Sequence, residues 1–453
     1  MKGQMLGVLL VALVWGGRAM LAVTAAADTL EEALVHAYWT HPQLEAQRAR
    51  SRSSDETLRK ALANWYPSIG LTGEMACGFS RANGAHQYTS HAVQLTLTQP
   101  LYRGGRTVAQ VKQVEAQIRS EQQQLVHTEQ TMLLAAAIAY LNLWRDEEIL
   151  SLNIKNEEVL QRQLRATRER LAVGEITRTD VAQVEARLAR ATATRKQSVS
   201  VVKIAQAVYT QMIGKGADRL VFPTAPVLSL PATREEAISL ARSNGPLVGV
   251  AAHSADAAVA GIRLAQGELW PTLSMKANVS RTWRKDPFSF QTKTVESTLV
   301  LSIPLYQQGL VDSRLRAAKH NASKHVYEMQ AARRQAVASA VQAWEALRAS
   351  IAQIHANTIR MASVETAMQG VQREAHVGSR TVLDVLNTEQ ERLDAHVELA
   401  KLKRDKDVAI FQLLTAVGRM TIQDMIGLPV PPYAPEGRYQ GVRGKWFGST
   451  SAS

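Results

Sequence analysis

The sequence predicts an α+β membrane protein built from one strand-and-long-helix module that occurs twice in a single chain. Three observations carry that prediction. Residues 31–214 recur as residues 235–418 at a constant offset. Each copy contains two runs of strict apolar/polar alternation, the signature of half-buried strands. In the first copy the chain then continues from about Val108 to Ala172 without a single Pro or Gly, as a long helix requires.

The first element is a leader. Lys2 gives a positive start, Met5 to Trp15 an apolar stretch, and Ala25-Ala26-Ala27 a small-residue cleavage site, so residues 1–27 read as a secretory signal. The stretch is too short to span a bilayer and Arg18 interrupts its continuation. No Cys lies near the cleavage site, so no lipid attachment is expected there, and the lone Cys77 has no partner for an internal disulfide. Beyond the leader no uninterrupted 20-residue apolar run is found, so a membrane crossing has to be made by strands.

The net charge of +13 would suit nucleic acid or an acidic surface. The basic residues, however, alternate with Gln, Glu and Ala rather than forming runs, which is the pattern of solvated helix faces; nucleic acid is not expected as a partner. Aromatics at 5% favour long helices joined through small residues over a thick globular core.

The repeat organises everything that follows. Pro42 matches Pro246 (246 − 42 = 204), Trp65-Tyr66-Pro67 matches Leu269-Trp270-Pro271, and Pro100-Leu101-Tyr102 matches Pro304-Leu305-Tyr306. Gly105 and Gly309, Gly174 and Gly378, Asp180 and Asp384, and Gly214 and Gly418 keep the same spacing (418 − 214 = 204). A constant offset over a whole module means duplication. The expected organisation is a first repeat at 28–214, a connecting segment at 215–234, a second repeat at 235–418, and a further connecting segment with a disordered tail at 419–453.

Strands are expected at about 68–80, 90–99, 272–283 and 294–303. Ile69, Leu71, Met75, Cys77 and Phe79 define one face of the first, and Val93, Leu95 and Leu97 alternate with Gln94, Thr96 and Thr98 in the second. A soluble half-buried sheet has the same alternation. Strand lengths of about ten residues and aromatics at both ends favour a membrane barrel with a wet lumen. Trp65, Tyr66, Tyr102, Trp270 and Tyr306 form one aromatic level, and Phe79, Tyr88, Trp283 and Phe288 the other. Four strands cannot close a barrel, whose smallest form has about eight, and an open edge in lipid is not tolerable. Two, three or four chains would give eight, twelve or sixteen strands.

The helix from about Val108 to Ala172 is roughly 100 Å long, and it turns at Gly174 and returns from about Thr179 to Ile213 over roughly 50 Å. An earlier helix at about Gln43–Asn64, stacked end to end on the returning one, adds roughly 30 Å and nearly closes the gap. An ordinary coiled-coil rod anchored at the cell surface accounts for these helices, but not for the leader and the paired strands.

These residues resemble the TolC-like outer-membrane efflux proteins over essentially the whole mature chain. The resemblance rests on the duplicated frame, on Pro304-Leu305-Tyr306 with Gly309, and on two tip turns, at 174–180 (Gly174-Glu175-Ile176-Thr177-Arg178-Thr179-Asp180) and 378–387 (Gly378-Ser379-Arg380-Thr381-Val382-Leu383-Asp384-Val385-Leu386-Asn387). It implies a homotrimer with one twelve-stranded barrel in the Gram-negative outer membrane and a periplasmic α-helical barrel below it. The tapered end would be closed at rest and open when an adaptor protein and an inner-membrane ABC or RND transporter engage. The Thr-Arg-Thr-Asp tip and the missing lipid-accepting Cys look more like the branch that serves type I protein secretion, with multidrug or small-molecule efflux as the alternative.

No phosphate-binding loop, His-Glu-x-x-His or nucleophile with an orienting base is found, so neither an enzyme nor a cofactor or metal site is expected. The candidate functional residues come from the resemblance. Asp384 would stand at the constriction, where symmetry repeats it into a ring of carboxylates that attracts cations. An acidic residue in the first turn of a helix, favoured by the dipole, explains Asp384 and Asp180 equally well. Thr179, Asp180 and Arg380 would belong to links that hold the tip closed, Arg380 bonding an Asp180 carboxylate; Gly174 and Gly378 would offer the tip turns to an adaptor. Two departures stand out: the second acidic ring position is Asn387, and the aromatic latch position is Ala375, next to His376.

Overall fold

The computed structural model describes residues 29–80, 86–217, 220–222, 230–285 and 290–426. The expected leader, Phe288 and the expected disordered tail lie outside the described residues.

The first half begins with α1 (Leu30–Thr40), opened by a reciprocal capping box between Thr29 and Glu32. α2 (Pro42–Leu62) starts on Pro42 in its first turn, where a missing N–H costs nothing, and ends in a 3-10 turn at Ala63–Trp65 ahead of Pro67. Strands β1 (Ser68–Ser80) and β2 (His86–Arg103) follow, then α3 (Arg106–Ala172) and α4 (Arg178–Ile213). The second half supplies α5 (Arg234–Asn244), α6 (Pro246–Gln266), β3 (Thr272–Lys285), β4 (Phe290–Ser302), α7 (Leu310–His376) and α8 (Val382–Ala416), with a short α9 (Ile422–Ile426) after it. The repeat offset survives in three dimensions: α1 and α5, β1 and β3, and α3 and α7 each begin 204 residues apart (234 − 30, 272 − 68, 310 − 106).

The strands form one antiparallel sheet in the order β1-β2-β3-β4, so β1 and β4 are open edges. β2 runs longer than the alternation suggests, because it is central and paired on both sides, and a bulge at Pro100/Tyr102 lets it continue past the proline. One face carries Ile69, Leu71, Leu95, Val279, Val295 and Leu299, all left exposed in the single chain. The other carries Thr72, Glu74, Gln94, Thr96, Asn278 and Glu296. Tyr88 corrects the expected aromatic level. It pairs with Gly78 in the register and shares the parity of Gln94 and Thr96, so it lies on the polar face, with Arg284 4.3 Å from its ring centroid. A Cβ on Gly78 would come within 2.6 Å of the Tyr88 hydroxyl, so any larger residue there would displace the Tyr88 ring.

The helices pack as a curved layer. α4 covers the tip-ward part of α3, while α2 and α6 cover its sheet-ward part, through Arg50–Glu121 (3.1 Å) and through Ser120 donating to the Val250 carbonyl (3.1 Å). The end of α4 meets α1, where His36 Nδ1 donates to the Ile213 carbonyl at 2.6 Å and satisfies a helix-terminal acceptor. The main core lies at this level and joins α1, α3, α4, α8 and α9 through Leu34, Leu133, Tyr140, Tyr209 and Phe411. The connecting segment closes over it: Tyr140 donates to the Val221 carbonyl at 2.8 Å, and the Phe222 ring lies against Trp144 with centroids 4.6 Å apart and planes tilted by 58°.

One stretch departs from the expectation that strands alone are apolar enough to cross a membrane. Arg234–Leu269 reaches a mean hydropathy of 1.3 over its best window. Its apolarity comes from the Ala and Val content of α6, which packs between α3 and α7. The equivalent α2 holds the matching place in the first half with a strongly polar sequence, so that place in the fold does not itself require an apolar helix.

Candidate functional site

The two hairpin tips are the same piece of chemistry made twice. α3 ends at Ala172 and the chain reverses through Gly174 at φ 83°; α7 ends at His376 and reverses through Gly378 at φ 83°. Both glycines occupy the left-handed region that a Cβ disfavours. Gly174 N bonds the Leu171 carbonyl and Glu175 N the Arg170 carbonyl, each at 3.0 Å; Gly378 N and Ser379 N repeat this on Ala375 and Glu374 at 3.2 and 2.9 Å. These crossed bonds satisfy carbonyls that would otherwise be orphaned at the helix end.

The returning helices start on matched capping boxes. Asp384 Oδ2 accepts from Thr381 N (3.1 Å) and Thr381 Oγ1 (2.8 Å), while Asp384 N donates to Thr381 Oγ1 (3.2 Å). Asp180 does the same with Thr177 at 2.9, 2.7 and 3.3 Å. The Thr381 hydroxyl and N–H, with Arg380 behind them, hold the Asp384 carboxyl below its ordinary value, and Thr177 does so for Asp180. Both carboxylates therefore stay charged at neutral pH while capping their own helices.

The threonine engaged at the first tip is Thr177; Thr179 is exposed in the first turn of α4. Arg380 and Asp180 are not brought together within the chain. Arg380 Nε instead donates to Glu374 Oε2 across its own turn at 2.8 Å. Asn387 is engaged from the other half, accepting from Arg187 Nη2 at 2.9 Å. Beside this bond Leu386 is buried among Leu160, Leu164, Val181 and Val184, so α8 is anchored on the first hairpin close to the tips. A groove of about 410 Å³ opens here, with Asp146, Asn153, Arg187, Glu389, Asp394 and Lys401 in its wall.

Two features of the site were not singled out from sequence. Arg187 lies seven residues, two helical turns, beyond Asp180, and only the folded contact reveals its role. Val173 and Val377 are 72% and 79% exposed, placing an apolar side chain at each tip just before the glycine. Their shared offset (377 − 173 = 204) was the available signal. Among the described residues no three His, Cys, Asp or Glu side chains converge as a metal site.

Comparisons with known proteins bear on this geometry. The family model described as "Outer membrane efflux protein" matches residues 33–215 and again 237–419. The outer membrane efflux protein BepC of Brucella suis is 33% identical over 441 residues, covering 96% of this chain and 95% of the relative. The outer membrane protein TolC of Escherichia coli is 26% identical over 425 residues, covering 89% and 84%. Among solved structures, the CmeC outer membrane channel of Campylobacter jejuni superposes with a TM-score of 0.79 at 13% identity, covering 92% of this chain and 89% of that one, a likeness of fold.

Proposed function

The chain belongs to the outer membrane efflux protein family and is an outer-membrane protein of Gram-negative type, and from that premise we propose that three copies join head to tail into one passive exit duct: a twelve-stranded barrel in the outer membrane, continued into the periplasm by a helical barrel. The observation that carries this reading is the way the two halves meet. β2 of the first half pairs with β3 of the second, and α3 packs on α6. The same operation applied again would set β4 against β1 of a partner subunit and α7 against its α2. Such a contact is heterologous and closes into a ring. It also gives the open edges and the exposed apolar face a use, since a single sheet with two bare edges is not viable in lipid.

Burial supports the same arrangement. α3 and α7 have equal length, yet twenty residues of α3 are buried against eight of α7. α3 is an interior helix of the layer and α7 an edge helix, with Tyr327 and Ile351 uncovered.

Relatives in this family are channel proteins rather than enzymes, so energy for export comes from elsewhere. We assign that task to an inner-membrane transporter of ABC or RND type, reached through a periplasmic adaptor that contacts the tips at Gly174, Gly378 and the exposed Val173 and Val377. In this reading the ring of Asp384 carboxylates sets a cation preference, and Thr179, Asp180, Arg380 and Asn387 belong to the gate. The Thr-Arg-Thr-Asp tip favours type I protein secretion. A second reading, small-molecule efflux, is favoured by the 33% identity to an efflux protein over nearly the full length.

The assembly has a covalent test. Within the chain Leu95 faces Val279, so the repeat places Leu299 (95 + 204) opposite Met75 (279 − 204) of the partner subunit. In a Cys77→Ser background, Leu299→Cys with Met75→Cys should oxidise to a reducible covalent trimer. A product that stays monomeric sinks the ring. Deletion of the gene then separates the two cargoes, since lost protein secretion and raised drug susceptibility are different phenotypes.

A further inference from the structure

The outward face of the sheet has a charge distribution that a barrel wall alone does not need. Successive residues along a strand alternate faces, so the register assigns every described charge to one side. Glu74 and Glu296, the carboxylates of the described strand residues, both lie on the polar face, together with Lys276, Arg284 and, past the bulge, Arg103. The apolar face carries Arg281, Lys285 and Lys293, and among the described strand residues it carries no carboxylate.

Two of these cations stand at one height. The row Leu71–Leu95–Val279–Val295 is wholly apolar, and the next row toward the strand ends holds Arg281 and Lys293 as direct partners across β3 and β4. Cross-strand partners have Cβ atoms about 5 Å apart, and like charges in that relation repel. Trp283 follows one row further, with the Arg281 guanidinium 4.7 Å from its ring centroid. Arg281 Nη2 also donates to Gln291 Oε1 at 3.2 Å, so the guanidinium is held in place rather than trailing in solvent. From Leu273 to Arg281 is eight residues, roughly 27 Å along the strand, which a strand tilt of about 40° turns into roughly 20 Å of height, near the upper edge of an apolar barrel band of about 25 Å. The pair thus falls at the level where a membrane protein meets headgroups, with a Trp ring beside it as is usual there. It lies at the hairpin end of the strands, away from the long helices, which is the outer-leaflet side.

We propose that Arg281 and Lys293 form a binding site for the phosphate of an outer-leaflet lipid headgroup. This deepens the function proposed above and rests on its membrane barrel. A phosphate between the two side chains converts their repulsion into two attractions, the guanidinium giving paired hydrogen bonds and the ammonium a compact charge. The apolar row directly below, Val279 and Val295, receives the first methylenes of the lipid chain. The equivalent positions in the first half are Cys77 (281 − 204) and Thr89 (293 − 204), so the site is a specialisation of the second half.

The test uses the full-length protein purified in detergent and reconstituted into vesicles of phosphatidylcholine, with or without phosphatidic acid. Native mass spectrometry should show phosphatidic acid retained in preference to phosphatidylcholine. Arg281→Gln with Lys293→Gln should reduce that retention at least tenfold, while Lys276→Gln on the polar face leaves it unchanged. Lys293→Glu serves as a second variant: it removes the like-charge pair, so it should raise the unfolding temperature in lipid-free detergent yet abolish the stabilisation that phosphatidic acid gives the wild type. Equal retention of the two lipids, equal retention by the double variant, or displacement by inorganic phosphate alone overturns the lipid site. If instead the chain enters neither kind of vesicle, the barrel reading falls and takes the site with it.

Discussion

Arg170 and Glu374 occupy equivalent places in the two halves (374 − 170 = 204), carry opposite charges, and each clasps the far side of its own tip turn. Arg170 Nε meets Glu175 at 2.9 Å, whereas Glu374 receives Arg380 Nε at 2.8 Å. The swap puts the cation after the turn at the second tip only. Arg380 therefore sits beside the start of α8, where its charge acts on Asp384, whereas Arg170 acts on Asp180 from the end of α3. Pairs this exposed are screened by solvent and add little to stability, so the consequence lies in where the charge is placed. Replacing Arg380 with Ala should raise single-channel conductance in planar bilayers, and replacing Arg170 with Ala should leave it near wild type. Equal behaviour of the two variants would remove Arg380 from the gate.

Asp384 serves two roles that one pair of variants separates. As a capping-box member, its loss by Asp384→Ala weakens the start of α8, and Asp180→Ala should weaken the start of α4 in the same way. Only Asp384 is assigned to the conducting constriction. Reversal potentials should therefore show a reduced cation preference for Asp384→Asn and an unchanged one for Asp180→Asn. A matching loss in both variants would mean that the charge acts through the whole tip and not through one ring.

The exposed valines give a contact test. Val173→Asp and Val377→Asp put a charge on each tip without touching the buried clusters, so folding and assembly should be retained. Export in cells should fall strongly if an adaptor seats on these tips. Export at the wild-type level would move the adaptor contact elsewhere, the groove beside Arg187 being the next place to examine.

Most of the frame was legible because duplication writes each structural constraint twice. Pro42 and Pro246, Gly174 and Gly378, and Thr177 and Thr381 announce helix starts, turns and caps by local rules that need no distant partner. Thr177 as a cap was also legible, since the Thr-x-x-Asp spacing is present at both tips. Tyr88 was assigned to an aromatic level from its position near a strand end, yet its even parity already aligned it with Gln94 and Thr96 on the polar face. The Arg187–Asn387 bond is of another kind. Its partners lie 200 residues apart on different halves, and no periodicity within either helix encodes which residues meet when the hairpins pack.

A last prediction concerns pH. Glu129 on α3 accepts from Ile422 N at 3.3 Å and so ties the short α9 to the core. Burial is the main influence on its carboxyl and raises it above the ordinary 4.5; the Ile422 N–H and Arg48 oppose this, and Asp424 adds to it. A group whose folded pKa lies above its unfolded one binds its proton more tightly in the native state. Its favourable contribution is therefore complete below about pH 4.5 and is lost as pH rises through the folded value. Asp180 and Asp384, with lowered values, act in the opposite sense, their contribution fading only below about pH 3.8. Glu129→Gln keeps the oxygen acceptor for Ile422 and removes the titration. Its unfolding temperature should exceed that of the wild type at pH 8, and the gap should close on acidification toward pH 5. A gap that stays constant over this range would show that the carboxylate is not under strain in the folded protein.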